Sequence, residues 1–392
     1  MNHIYIEQKE FCTGCTACSN VCPQQCISFL EDEEGFLYPN VDESFCVECG
    51  KCKAVCPVKK ERGDIPDENN IKVFACVNKD KKVLKESSSG GVFSLLAQKT
   101  IEKGGVVFGA AFNECWDVCH ISITDSDEIF KFRGSKYVQS NMGDAFSSVK
   151  NFLNQGRQVL FSGTPCQIAG LNSYLGREYT NLVTCDFICT GVPSPKVFRA
   201  YRTHYERKFQ EPILKISFRD KKYGWDAFSM VLCGTSKEYR KIRFFDPYIQ
   251  AQYSHISLRP ACYHCQFKKC NSNSDIKLAD YWYVSQVHPE IAARDGVSLV
   301  IINGPKGQKL FDSVAPEMQI VESQIEHVYR TNASFAITAK EPVARKEYLQ
   351  VVCHSNSSED IVRWLEKHAK LSFKDKIVTR LRFFKHQMFT RK

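Results

Sequence analysis

Eight cysteines fall in two copies of one spacing, Cys12-x2-Cys15-x2-Cys18-x3-Cys22-Pro23 and Cys46-x2-Cys49-x2-Cys52-x3-Cys56-Pro57. Three cysteines at x2 spacing wrap a loop around one face of an iron–sulfur cubane. The fourth opens a short helix that points away, so it serves a second cluster. The spacing therefore predicts one 4Fe–4S cluster on Cys12, Cys15, Cys18 and Cys56, and another on Cys46, Cys49, Cys52 and Cys22. A tetrahedral zinc site uses two Cys pairs and has no place for a doubled triplet with a remote Cys-Pro. Pro23 and Pro57 turn the chain after the last ligand. Cys26, outside the pattern, reads as a small buried hydrophobe.

Residues 8–60 resemble a two-cluster bacterial ferredoxin, a module that passes single electrons. Between its halves, Glu31-Asp32-Glu33-Glu34-Gly35-Phe36 reads as a hairpin turn with an acidic tip. The chain has 20 cysteines in 392 residues, and its N-terminus lacks a basic segment followed by an apolar one. That combination points to reduced thiols used as metal ligands, in the cytoplasm, rather than to a disulfide framework. No run approaches 18 apolar residues, so no membrane-spanning helix is expected.

Composition shifts divide the chain into residues 1–60, a polar linker over 61–72, a body over 73–344 and a tail over 345–392. From 73 to about 302, short apolar runs alternate with amphipathic stretches. Strands are expected at 73–77, 106–112, 159–161, 182–188, 213–218, 228–232 and 297–302. Helices are expected at 92–103, 143–155, 166–174 and 196–208. This alternation predicts a mixed α/β (α+β) body, in parts 73–155 and 156–344, behind the small ferredoxin-like domain. The last 23 residues hold eight Lys and Arg against the single Asp375, so the tail carries +7 of the chain's net +9. Leu371, Phe373, Ile377, Leu381, Phe384 and Met388 recur there at helical spacing. The plain reading is a terminal helix docked on the core; the alternative is a basic helix on an acidic partner or a membrane surface. No nucleic-acid-binding motif accompanies the charge, so nucleic acid is not an expected partner.

Four segments of the body carry chemistry. Ser87-Ser88-Ser89-Gly90-Gly91 precedes a helix, which suits either a phosphate at the helix N-terminus or a simple N-cap. Arg133-Gly134-Ser135-Lys136-Tyr137-Val138-Gln139-Ser140 suits phosphate, the polar edge of a flavin, or a solvated loop. Ser162-Gly163-Thr164-Pro165-Cys166-Gln167 leaves a strand and opens a helix, a position that favours the Cys166 thiolate. Cys166 reads as cluster ligand, redox nucleophile or buried thiol. Cys189 ends a second strand, and Cys262-x2-Cys265-x4-Cys270 forms a third group behind Arg259-Pro260. Cys166, Cys189, Cys262 and Cys265 could converge on a third cluster, with Cys270 in reserve and zinc as the rival metal. The other cysteines (76, 115, 119, 185, 233 and 353) read as inert thiols.

Taken in order, these segments resemble the family of coenzyme F-420 hydrogenase/dehydrogenase beta subunits. The matching residues are Ser88-Ser89-Gly90-Gly91, residues 134–140, Gly163-Thr164-Pro165-Cys166-Gln167-Ile168-Ala169-Gly170-Leu171, Cys189-Thr190-Gly191-Val192-Pro193-Ser194, and Cys262-x2-Cys265 followed by Ser274-Asp275-Ile276 and Ala279-Asp280-Tyr281-Trp282. The resemblance covers about 73–305. It implies FAD and a third 4Fe–4S cluster on Cys166, Cys189, Cys262 and Cys265. It also implies a flavin site lined by Ser88, Ser89, Gly90, Gly91, Gly134, Ser135, Lys136, Tyr137, Gln139, Ser140, Thr164 and Gln167. Lys136 is the candidate to offset charge on a reduced flavin, with a phosphate contact as the plain alternative. The family often reads Gly-Asp-Phe-Trp-Gly where this chain has Ala279-Asp280-Tyr281-Trp282-Tyr283, a departure that bears on the substrate. The expected function is an iron–sulfur flavoprotein oxidoreductase exchanging electrons with a redox partner protein or reduced ferredoxin and with a small-molecule acceptor or donor, whether coenzyme F-420 or another. The alternatives are a non-catalytic electron-delivery subunit and, more weakly, a zinc-stabilised scaffold.

Overall fold

The computed structural model describes residues 2–60, 68–355 and 357–368. Most of the linker, and the basic stretch of the tail from 369 onward, lie outside the described residues.

The N-terminal domain is a hairpin of β1 (Ile27–Glu31) and β2 (Leu37–Val41) with two short helices, Ala17–Asn20 and Lys51–Ala54. Each helix follows a left-handed residue, Thr16 in one copy of the motif and Gly50 in the other. The repeated spacing thus yields a repeated backbone.

The body contains β3 (Lys72–Asn78), β4 (Val106–Phe112), β5 (Val118–Ile123), β6 (Val159–Ser162) and β7 (Leu182–Phe187). A separate antiparallel sheet follows: β8 (Lys215–Asp220), β9 (Ser229–Cys233) and β10 (Glu238–Ile242). The chain then returns through β11 (Ile276–Asp280), β12 (Ser298–Ile302) and β13 (Met318–Ser323). The main sheet has the order β13-β3-β12-β11-β7-β6-β4-β5. Strands β4, β6, β7 and β11 run parallel and the flanks antiparallel. A parallel centre covered on both faces needs strands that are apolar throughout, and β6 and β12 have that character.

Helix Pro165–Leu175 shows how local sequence fixes the site. Thr164 and Gln167 form a reciprocal capping box, Pro165 occupies the first turn, and Gly176 ends the helix in a left-handed conformation. Helix Pro195–Phe209 starts in the same way, with the Ser194 hydroxyl accepting from Val197 N–H. Helices Arg345–His354 and Ser358–His368 belong to the apolar cluster around Phe198, Phe218, Tyr248 and Trp364, so this part of the tail is core.

The ferredoxin-like domain is built into the body. Cys15, Ala17 and Val55 share an apolar cluster with Phe146, Ile168 and Leu171. The acidic hairpin tip is buried: Phe36 is fully covered and Glu34 pairs with buried Arg345, which also donates to the Ile256 carbonyl at 2.6 Å. The hydroxyl of Ser194 donates to the Glu34 carbonyl, and Lys196 Nζ reaches the Glu33 carbonyl at 3.0 Å. Among the described residues no helix is long and apolar enough to cross a membrane.

Candidate functional site

The eight motif cysteines form two groups, interleaved as the spacing predicts. Cys15 and Cys18 each feel the charges of Cys12 and Cys56, and Cys56 feels that of Cys12. Burial, reinforced by this mutual repulsion, pushes Cys15 up to about 12 and Cys18 well above the ordinary thiol value. Cys22, Cys46, Cys49 and Cys52 line one small pocket with Cys26. Cys26 is buried in an apolar cluster with Ile4, Ile27 and Cys52, its sulfur 3.5 Å from that of Cys22. The N–H of Ile4 donates to Cys52 Sγ at 3.1 Å.

A third group assembles at the carboxyl ends of β6 and β7, where ligands of parallel sheets collect. Cys166 follows β6 in the first turn of its helix, and Cys189 lies two residues past β7. Cys262 is in the short helix Pro260–Tyr263, with Cys265 just beyond it. All four line one pocket together with Thr164, Arg259 and Lys268. Burial pushes Cys189 and Cys262 up to about 12 and Cys166 higher still. The helix N-terminus therefore does not leave Cys166 a free thiolate as position alone suggests; desolvation outweighs it. Backbone N–H groups of Val192 and Phe267 approach the sulfurs of Cys262 and Cys265, each at 3.4 Å. Cys270 is elsewhere, its thiol donating to Asn303 Oδ1 at 3.2 Å.

Beneath this pocket lies a buried ion pair. Lys277 Nζ is 2.7 and 2.6 Å from the two Asp186 oxygens, which also accept from Ser272 at 2.6 Å and Ser274 at 2.9 Å. The first and third cysteine groups adjoin. A β-carbon placed on Gly170 would stand 2.9 Å from both Cβ and Sγ of Cys15, so only glycine lets the Cys166 helix approach this closely.

The segments read as a flavin site divide in two. Ser88 Oγ accepts from Ser135 N–H at 2.6 Å and Ser135 Oγ at 2.9 Å, which joins the Ser-Gly-Gly turn to the Gly-Ser-Lys segment. Ser89 Oγ donates to Val297, and Gly90 N–H to Ser298 Oγ. At Gly90 a β-carbon would lie 2.2 Å from the Cys76 carbonyl oxygen. Gly91 begins helix Val92–Glu102. Gly134, Ser135 and Lys136 line a cleft of about 1780 Å³, and Tyr137 packs edge-on against Phe218. Burial pulls Lys136 down to about 8. The rest face the cysteines. Gln139 bonds the Thr13 carbonyl and Arg259, Ser140 accepts from Gln167, and Thr164 Oγ1 lies 3.1 Å from Cys166 Sγ.

The cleft has twelve Lys and Arg against four carboxylates in its lining. Arg219, in β8, contributes a guanidinium that is almost wholly buried. Its Nη1 bonds Asp280 at 2.5 Å while Nε and Nη2 have no hydrogen-bond partner. Lys221 is drawn down to about 7 by burial and by Arg219, and ties together the carbonyls of Leu84, Ser89 and Asp295. Trp225 stacks on Trp282 at 4.8 Å and also donates to Asp280. Arg219, Lys221 and Trp225 escape sequence reading because each looks like an ordinary surface residue of a strand or turn.

Known proteins fit the same division. The C-terminal family model of the coenzyme F420 hydrogenase/dehydrogenase beta subunit matches residues 156–328, and its N-terminal counterpart matches 73–147. A 4Fe-4S dicluster domain matches 11–60. The F subunit of the F(420)H(2) dehydrogenase of Methanosarcina mazei is 25% identical over 373 residues, spanning 91% of this chain and 96% of that protein. A chain of the F420-reducing [NiFe] hydrogenase complex of Methanosarcina barkeri aligns at 16% identity and a TM-score of 0.47, covering 74% of this chain and 88% of that one.

Proposed function

The chain belongs to the family of coenzyme F420 hydrogenase/dehydrogenase beta subunits, with a 4Fe-4S dicluster domain at its N-terminus, and on that footing we propose that it is an iron–sulfur flavoprotein oxidoreductase. In this reading Cys12, Cys15, Cys18 and Cys56 hold the first cluster, and Cys22, Cys46, Cys49 and Cys52 the second. Cys166, Cys189, Cys262 and Cys265 hold a third, and FAD lies in the basic cleft. When bound, the clusters supply one-electron steps and the flavin couples them to a two-electron exchange with an organic acceptor or donor, coenzyme F420 or another anionic substrate.

The observation that carries the reading is the convergence of four cysteines from three separate loops on one pocket, in contact with the first ferredoxin loop through Gly170 and Cys15. Cys166, Cys189 and Cys262, whose pKa values desolvation raises, are poor free nucleophiles and good ligands, because a coordinated metal removes the proton outright. Among the described residues, no three His, Cys, Asp or Glu side chains gather at the spacing of a single ion. The cleft suits a dinucleotide. Its cations match a pyrophosphate, Lys136 offers a proton donor at its rim, and the unpaired Arg219 nitrogens await an acceptor.

The second reading, an electron-delivery subunit, draws on a different place. Cys49 is exposed, as are Phe45 and Val47 just before it in sequence, a segment where a redox partner protein could dock. The basic cleft favours the catalytic reading. Anaerobic purification with iron, sulfide and flavin quantified together tests it. We expect about 12 irons and one FAD per chain; failure of FAD to rebind overturns the reading, and about eight irons overturns the third cluster alone.

A further inference from the structure

Arg259 is among the largest side chains with essentially no exposure, and among the described residues the hydrogen bonds of its guanidinium go to two carbonyls, an amide oxygen and a thiol, none of them a carboxylate. A buried cation without a counter-ion is costly unless something negative faces it. What faces it is the loop of the first cysteine group. Its Nε donates to the Cys12 carbonyl at 2.7 Å, and Nη2 donates to the Leu37 carbonyl at 2.9 Å and reaches Cys12 Sγ at 3.5 Å. Its Nη1 donates to Gln139 Oε1 at 2.9 Å. Tyr38 lies 4.2 Å away and Phe36 5.4 Å, closing the site from water. The same residue caps the short helix that carries Cys262, its carbonyl accepting from Cys262 N–H at 2.8 Å, and it lines the third cysteine pocket. One residue thus touches both groups, the first through its guanidinium and the third through its backbone carbonyl. At the second group the corresponding donor is a neutral one, the Ile4 N–H on Cys52 Sγ.

We propose that Arg259 is a positioning residue that clamps the first-cluster loop onto the third pocket and holds the reduction potential of the first cluster above that of the second. The inference rests on the cluster reading above. A cluster gains negative charge on reduction, so a desolvated cation and a hydrogen bond at its sulfur favour the reduced form. The two halves of the domain have the same ligand spacing; Arg259 breaks their equivalence. It biases the equilibrium so that an electron shared between them resides on the side that adjoins the third pocket.

The test is an anaerobic redox titration of the full-length chain, followed by electron paramagnetic resonance with iron counted in parallel. Wild type is compared with Arg259→Gln and Arg259→Lys, and the first cluster is assigned by its altered signal in Cys12→Ser. In Arg259→Gln the reduction equilibrium of the first cluster is expected to fall at least tenfold, about 59 mV for one electron, with the second unmoved. In Arg259→Lys, which keeps the charge and loses the fork, the same potential falls by less. If Arg259→Gln loses iron, Arg259→Lys decides alone: full iron with an unshifted first potential overturns the proposal. Full iron with neither potential shifted in Arg259→Gln, or with both shifted equally, overturns it too. Eight irons in the wild type, with the first potential still dependent on Arg259, would overturn the third cluster and leave the potential effect standing.

Discussion

Replacing Lys277 by Met removes one half of the buried pair beneath the third pocket. Asp186 is 1% exposed, and after the change it keeps only the hydroxyl donors Ser272 and Ser274 against a full negative charge. Breaking a buried pair in this way costs about 3–5 kcal/mol, because the partner left behind is uncompensated. At roughly 2 °C per kcal/mol for a body of this size, the melting midpoint should fall by about 6–10 °C. Anaerobic melting followed by near-ultraviolet circular dichroism reads this directly. The double variant D186N/K277M carries no charge there, and its amide oxygen still accepts from the two serines. It should melt within about 4 °C of wild type, since a neutral replacement of a buried pair is close to isoenergetic. A K277M midpoint within about 2 °C of wild type would refute the reasoning. So would a double variant as unstable as the single one, because the loss would then come from packing and not from an orphaned charge.

Two further outcomes follow from the cleft and its rim. Lys136 titrates near 8 in the folded chain instead of 10.5, so above pH 8 it is neutral and has no charge to offer an anion. FAD affinity of the apoprotein, measured by fluorescence titration, should weaken as pH rises from 7.5 to 9 and lose that step in K136M, while the lower titration of Lys221 near 7 remains; an unchanged slope in K136M refutes the assignment. Tyr283 holds a left-handed backbone, φ 58°, with an exposed side chain. Tyr283→Gly should therefore be neutral or stabilising by up to about 1 kcal/mol in the same melting assay, and a loss above about 1 kcal/mol contradicts that.

Local signals carried much of the architecture. Strand β4 and helix Val92–Glu102 emerge from their apolar periods, and Thr164-Pro165-x-Gln167 announces its helix by capping chemistry. Strands β10 and β11 do not: Glu238-Tyr239-Arg240-Lys241-Ile242 is a charged edge strand with no buried face, and Ile276-Lys277-Leu278-Ala279-Asp280 places charged residues where a central strand should be apolar. The charges of β11 are satisfied by partners far away in sequence: Lys277 by Asp186, Asp280 by Arg219. The acidic hairpin tip misleads for the same reason. The sequence shows Glu34 only as part of an acidic hairpin tip, and it is the fold that places Arg345, 311 residues later, against it. The two ferredoxin-type cysteine groups were legible because ligand spacing is a local code, whereas Cys166, Cys189, Cys262 and Cys265 come from separate loops and only the family resemblance implied them as a set. Arg259 was visible only as a neighbour of Pro260, since nothing near it in sequence announces Cys12 or Gln139. The Gly-to-Tyr departure at position 283 is tolerated by the backbone itself, at a position glycine would occupy without strain.

The central claim is that four particular cysteines of the body hold a third cluster. Iron per chain in anaerobically purified wild type, Cys189→Ser and Cys270→Ser measures it most directly. Wild type and Cys270→Ser should each hold about 12 irons, and Cys189→Ser about eight with both ferredoxin-type signals intact. Twelve irons in Cys189→Ser, or a loss of four in Cys270→Ser, would contradict it.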